Sequence, residues 1–256
     1  MATYKKRGYK PKNKNEEQQV DNMDSTTAEV FNTLDETASK SEQWIEKNSK
    51  VLFSALVSIV VIFLAFLGYN KYITEPNELE ASNELAFPRK YFDEAATAGS
   101  GIDSLLNLGL EGADGRYGFL DIAESFSGTD AGNLANYYAG VSYLQLKDYE
   151  NAIAYLSKFD SDDEMLGPVS LGAIGDAFSD IDQQKDALEY YEKAANKRNN
   201  EFTTPLFLYK AGQTAMLLED YSKAEELFTK IKKSYSKSDQ GKDVEKFINA
   251  AKYAKN

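Results

Sequence analysis

Nineteen consecutive residues without a formal charge, Val51 to Tyr69 (VLFSALVSIVVIFLAFLGY), cut the chain into two parts of different chemistry. As a helix the run rises about 28 Å, close to the hydrocarbon thickness of a bilayer. Only Ser54, Ser58 and Gly68 interrupt it, so it lacks the polar face that a helix of a soluble core carries. Backbone amides cannot stay unpaired in lipid, and a lone crossing segment must therefore be helical. Fifty residues precede the run and no small-x-small cleavage site follows it, which argues against a removed signal peptide. The expectation is one uncleaved transmembrane helix over residues 51–72.

Charge then predicts orientation. Nine of the 29 Lys and Arg residues precede Val51, six of them at Lys5, Lys6, Arg7, Lys10, Lys12 and Lys14. Lys40, Lys47 and Lys50 lie close on the near side, against Lys71 alone within fifteen residues on the far side. Basic flanks stay in the cytoplasm, so the N-terminus is expected inside and the C-terminal domain outside. The net charge of −12 falls wholly after residue 50, where 20 basic residues meet 32 acidic ones. Such a surface is repelled by phosphate backbones and anionic head groups, which excludes nucleic acid as the expected partner.

The residue inventory also narrows the chemistry. Without His or Cys, no Ser-His-acid triad, thiol nucleophile or usual zinc site can be assembled. No GxxxxGK[ST] occurs, and the glycines between 99 and 118 form no dinucleotide fingerprint. Asp160, Asp162 and Glu164 open like a calcium loop, but Met165 stands at its sixth position and Leu171 at its twelfth. No enzyme activity, metal or cofactor is expected. A binding protein is.

Residues 1–25 are polar and expected to be a disordered cytoplasmic leader. Residues 26–50 read as an amphipathic juxtamembrane helix whose docking side chains would be Phe31, Leu34, Trp44 and Ile45. That face suits either the lipid interface or another protein's membrane-flanking surface, and its acidic neighbours favour the second. Beyond the span, residues 77–126 are expected to form an irregular hairpin. Its first helix, Asn77 to Thr97, should break near Pro88 and its second should be Phe119 to Phe126, with a loose glycine-rich stretch over 98–118 and a turn at Asp114-Gly115.

From residue 133 the sequence repeats itself. Gly140 and Ala152, Gly175 and Ala187, and Gly212 and Ala224 are each twelve apart, and the glycines follow one another at 35 and 37 residues. Small residues at fixed places let two antiparallel helices approach closely. Four positions after each Ala stands a large residue, Leu156, Tyr191 or Phe228, one turn along the same face. Helical hairpins are thus predicted at about 133–160, 168–195 and 205–232, with Pro168 and Pro205 in the opening turns, Thr204 as a cap, and a capping helix over 242–255.

GVSYLQLKDYENAIAYLSKF (Gly140 to Phe159), IGDAFSDIDQQKDALEYYEKA (Ile174 to Ala194) and AGQTAMLLEDYSKAEELFTKI (Ala211 to Ile231) resemble the tetratricopeptide repeat, whose period is about 34. The implied architecture is all-α: a single N-terminal transmembrane helix, then a tetratricopeptide-repeat solenoid with a C-terminal capping helix, the periplasmic-type domain being 73–256. First helices line the concave face of such arrays. The partner-binding groove is accordingly expected at Tyr137, Val141, Leu144 and Gln145, then Val169, Asp176, Ser179 and Asp180, then Tyr209, Gln213, Met216 and Leu217. An anchored array containing AGNLANYYAGVSYLQLKDYENAI (Ala131 to Ile153) resembles the YfgM family of ancillary Sec translocon subunits, in its Bacteroidetes form. That resemblance implies a bacterial inner-membrane protein facing the periplasm, attached to the SecYEG channel and to a PpiD-like membrane-anchored chaperone, and holding exported polypeptides. The motif alone is equally compatible with a structural scaffold for another cell-envelope assembly, one able to self-associate through Ser54 and Ser58.

Overall fold

The computed structural model describes residues 44–255, and every regular element among them is helical. The expected leader, and the expected docking residues Phe31 and Leu34 of the juxtamembrane helix, lie outside the described residues. The chain divides after Gly68 into two units. In the first, α1 is helical from residue 44, and the apolar window of this run has no buried residue. One helix is therefore long and apolar enough to cross a membrane, which fits an anchor. Trp44 and Ile45 are exposed.

The second unit begins with a π-turn, Asn70–Thr74, and α2, Glu75–Thr97. The helix continues through Pro88 instead of breaking there, because the proline is buried under the following helix and its carbonyl lies where Gly109 packs. Tertiary contact outweighs the lost amide. The stretch expected to be loosest contains a ten-residue helix, α3, Ile102–Glu111. Its glycines have separate tasks: Gly101 starts it at φ 74°, Gly109 admits Phe119, and Gly112 ends it at φ 80°. The turn at Asp114-Gly115 forms as expected, with both residues at positive φ. Helix α4, Phe119–Ser125, packs mainly on α5, so α2 turns back into α3 and not directly into α4. Leu85, Leu110, Phe119 and Ile122 fill the core between them.

Three regular hairpins follow: α5 (Asp130–Gln145) with α6 (Tyr149–Leu156), α7 (Leu166–Asp180) with α8 (Gln184–Lys197), and α9 (Thr203–Leu217) with α10 (Tyr221–Ser234). A short α11, Asp239–Lys242, precedes the closing α12, Val244–Lys255, which packs on α10. Glu78 of α2 holds the array's first helix, its carboxylate accepting the amides of Asp130 at 2.7 Å and Ala131 at 3.1 Å. An anion at a helix N-terminus is favoured by the helix dipole. Thr204 does not cap α9. It lies inside the helix, accepting from the Asn200 amide and donating to the Arg198 carbonyl, while Asn200 Oδ1 takes the amides of Phe202 and Thr203.

Each hairpin closes the same way. A Cβ placed on Gly140, Gly175 or Gly212 would stand 2.5–2.7 Å from Leu156, Tyr191 or Phe228, so bare backbone touches the large side chain of the facing helix. Past each first helix, Lys147, Asp182 or Glu219 adopts the left-handed conformation. Asp148 and Asp220 then cap the second helices by accepting from Asn151 and Lys223, whereas Gln183, with nearly the same backbone angles, caps nothing with its side chain.

Two stability tests follow from this geometry. Gly212→Ala drives a methyl into the fully buried Phe228 ring. Overpacking of about 1–3 kcal/mol exceeds the helix-propensity gain of about 1 kcal/mol, so urea unfolding of the solubilised chain should show a net loss. Gln183→Asn supplies the missing cap without adding charge beside Asp182 and Asp186. It should raise stability by about 0.5–1 kcal/mol in the same assay.

Candidate functional site

The C-terminal ends of the three first helices converge on one groove of about 760 Å³. Leu144 comes from α5, Asp176, Ser179 and Asp180 from α7, and Lys210, Gln213, Thr214, Met216 and Leu217 from α9. Tyr191 and Phe228 reach through their hairpins to the floor, and Phe247 of α12 closes one end. Leu217 is 71% exposed, whereas Leu144 and Met216 are half-buried against the core.

Three repeat elements meet at a single carboxylate. Asp176 Oδ1 accepts the Tyr191 hydroxyl at 2.6 Å, and Lys210 Nζ donates to both carboxylate oxygens at 2.7 and 2.8 Å. Burial first, and Asp176 second, hold the Tyr191 phenol far above its ordinary range, so it stays a neutral donor. Lys210 also lies 5.6 Å from the Tyr191 ring centre. The three groups brace α7, α8 and α9 against one another beneath the groove. Ser179 is fixed from the side, its carbonyl accepting from Gln184 Nε2 at 3.2 Å.

The structure brings seven of the expected positions together here: Leu144, Asp176, Ser179, Asp180, Gln213, Met216 and Leu217. The other five are elsewhere. Tyr137 packs 5.2 Å from Phe159 and beside Tyr138, and burial raises its phenol above the ordinary range. Val141 packs with it against the core of Leu156 and Ile174, and Val169 against the C-terminal core. Tyr209 is covered by α12, its ring 5.1 Å from Phe247, and its hydroxyl accepts from Gln213 at 3.2 Å. Gln145 is exposed but lies outside the lining. First-helix register groups residues on one face, and rings from outside those helices, Phe159 and Phe247, pack on two of them, Tyr137 and Tyr209. Lys210, Tyr191, Thr214, Phe228 and Phe247 complete the lining, and only Lys210 left a sequence trace: an opposite charge 34 residues after Asp176, one repeat on.

The loop that imitates a calcium site is held by cations instead. Asp160 pairs with Lys197 at 3.0 Å and Asp162 with Arg198, tying the first hairpin to the second. Among the described residues, no group of three or more carboxylates is placed to hold a metal ion.

A tetratricopeptide repeat model matches residues 134–162 and 207–238. These segments cover hairpins α5/α6 and α9/α10, and the unmatched middle hairpin has the same glycine contact and left-handed turn. No curated protein and no solved structure matches the chain. The fold is an all-α tetratricopeptide-repeat solenoid with one helix of membrane-spanning length ahead of it. Arrays of this kind are scaffolds for binding other polypeptides.

The bridge under the groove is open to measurement. In a double-mutant cycle with Asp176→Asn and Lys210→Gln, urea unfolding should return a coupling of about 0.5–1 kcal/mol, modest because both side chains are about a third exposed.

Proposed function

We propose that this chain is a membrane-anchored binding scaffold whose groove grips a polypeptide on the exported side of a bacterial inner membrane. The observation that carries the reading is the exposed Leu217 beside the half-buried Leu144 and Met216, lining one groove with the Asp176–Lys210 bridge in a chain that also holds a helix of spanning length. Leu144 and Met216 pack partly on the core, and Leu217 is left exposed next to them. Burying Leu217 and the accessible parts of its neighbours on a partner is favourable by the hydrophobic effect, while Gln213 and Ser179 offer hydrogen bonds that fix register. The basic flank of Lys40, Lys47 and Lys50 supports a cytoplasmic N-terminus.

Within that role, the resemblance to ancillary Sec translocon subunits supports a finer reading. The scaffold stands beside the SecYEG channel with a PpiD-like chaperone and receives newly exported chains. The rival is a scaffold for a different envelope assembly.

Photo-crosslinkers at Leu217 and Met216, with one at exposed Gln145 as a lateral control, test the groove in living cells. The expected products are adducts to exported polypeptides or channel partners from the first two positions. Adducts from Gln145 alone would overturn the groove as the binding surface, and adducts only to unrelated envelope proteins would favour the rival. In cells with an opened outer layer, added protease should digest the region after Tyr72. Complete protection would reverse the orientation.

A further inference from the structure

We infer that the groove selects a polypeptide segment that carries a positive charge between apolar residues, its cation seated beside Asp180 and its apolar side chains on Leu144, Met216, Leu217 and Phe247. The inference rests on the proposed groove reading and deepens it. Three independent features of the site have the same sign.

The first is the balance of formal charges. Asp176, Asp180 and Lys210 are the ionised groups of the lining, and Lys210 is already bonded to both oxygens of Asp176. Asp180 is left in excess. It is the exposed last residue of α7, and its neighbour Tyr149 is neutral, the phenol held above its ordinary range by burial and then by Asp180 itself. The second is backbone polarity. Leu144, Asp180 and Leu217 stand in the last turns of α5, α7 and α9, so three helices end beside one cleft with the negative poles of their dipoles. The third is the turns. Two residues past those ends stand Lys147, Asp182 and Glu219, again with one carboxylate in excess.

A neutral apolar segment would bury the same aliphatic residues but leave this negative potential unanswered. An acidic one would be repelled by it. The apolar residues decide that something binds. The carboxylate decides which.

The test uses the full chain in nanodiscs of neutral lipid and three fluorescent peptides of leucine, valine and serine, identical except for two central lysines, two glutamines or two glutamates. Affinity measured by anisotropy should fall in that order, with lysine over glutamine by about fivefold, and the lysine advantage should shrink as salt is raised. Asp180→Asn should remove most of the lysine-over-glutamine advantage, whereas Asp180→Glu should restore it. Leu217→Ser, a change at an exposed position, should weaken all three peptides alike. Equal binding of the lysine and glutamine peptides, or a lysine advantage indifferent to Asp180→Asn, would overturn the charge selection and leave the groove reading standing. If no peptide binds, the groove reading falls, and the selection with it.

Discussion

The solenoid depends on bare backbone meeting a large side chain inside each hairpin. Gly140, Gly175 and Gly212 let the first helix approach until Leu156, Tyr191 and Phe228 press on its main chain. At this distance the interior is packed to near crystal density, and no side-chain adjustment absorbs an added carbon. The contact does more than close the pair. It pushes Tyr191 and Phe228 far enough through their hairpins that both reach the groove floor, where the Tyr191 hydroxyl meets Asp176. Close packing thereby positions a polar group. The binding surface inherits its shape from a steric rule that each hairpin applies independently.

Those spacings made the hairpins readable before any coordinates, because glycine, alanine and a bulky residue at fixed separations leave few other solutions. The region before them was less readable. Six glycines between residues 99 and 118 look like slack, yet Gly101 and Gly112 bound a helix and Gly109 makes room for Phe119. Composition does not distinguish a glycine chosen for its dihedral freedom from one chosen for its missing Cβ. The better signal was Leu106, Gly109 and Leu110 on one helical face, all of them buried. In the groove, helical register anticipates that Leu144, Asp176, Met216 and Leu217 share one lining, but it does not show that Tyr137 and Tyr209 pack against Phe159 and Phe247. Neither ring lies on a first helix. Contacts made from outside the repeating pattern cannot be read from the pattern.

Charge is distributed along the array with two different effects. Pairs such as Lys197 with Asp160, Arg198 with Asp162 and Lys210 with Asp176 join one hairpin to the next, and each spans about one repeat in sequence. Being partly exposed, each contributes little to stability by itself. Their effect is on alignment: a charge that must meet its partner one repeat away restricts how far neighbouring hairpins can slide. Asp180 stands outside that set and gives the surface its sign.

Glu78 has a mechanical consequence. A pull applied along α2 loads two short bonds from one carboxylate to the opening amides of α5, oriented across the joint between the lead-in helices and the first regular hairpin. Such charge-assisted hydrogen bonds can re-form after rupture without repacking an apolar seam, so the joint between α2 and α5 is one that can open and close locally.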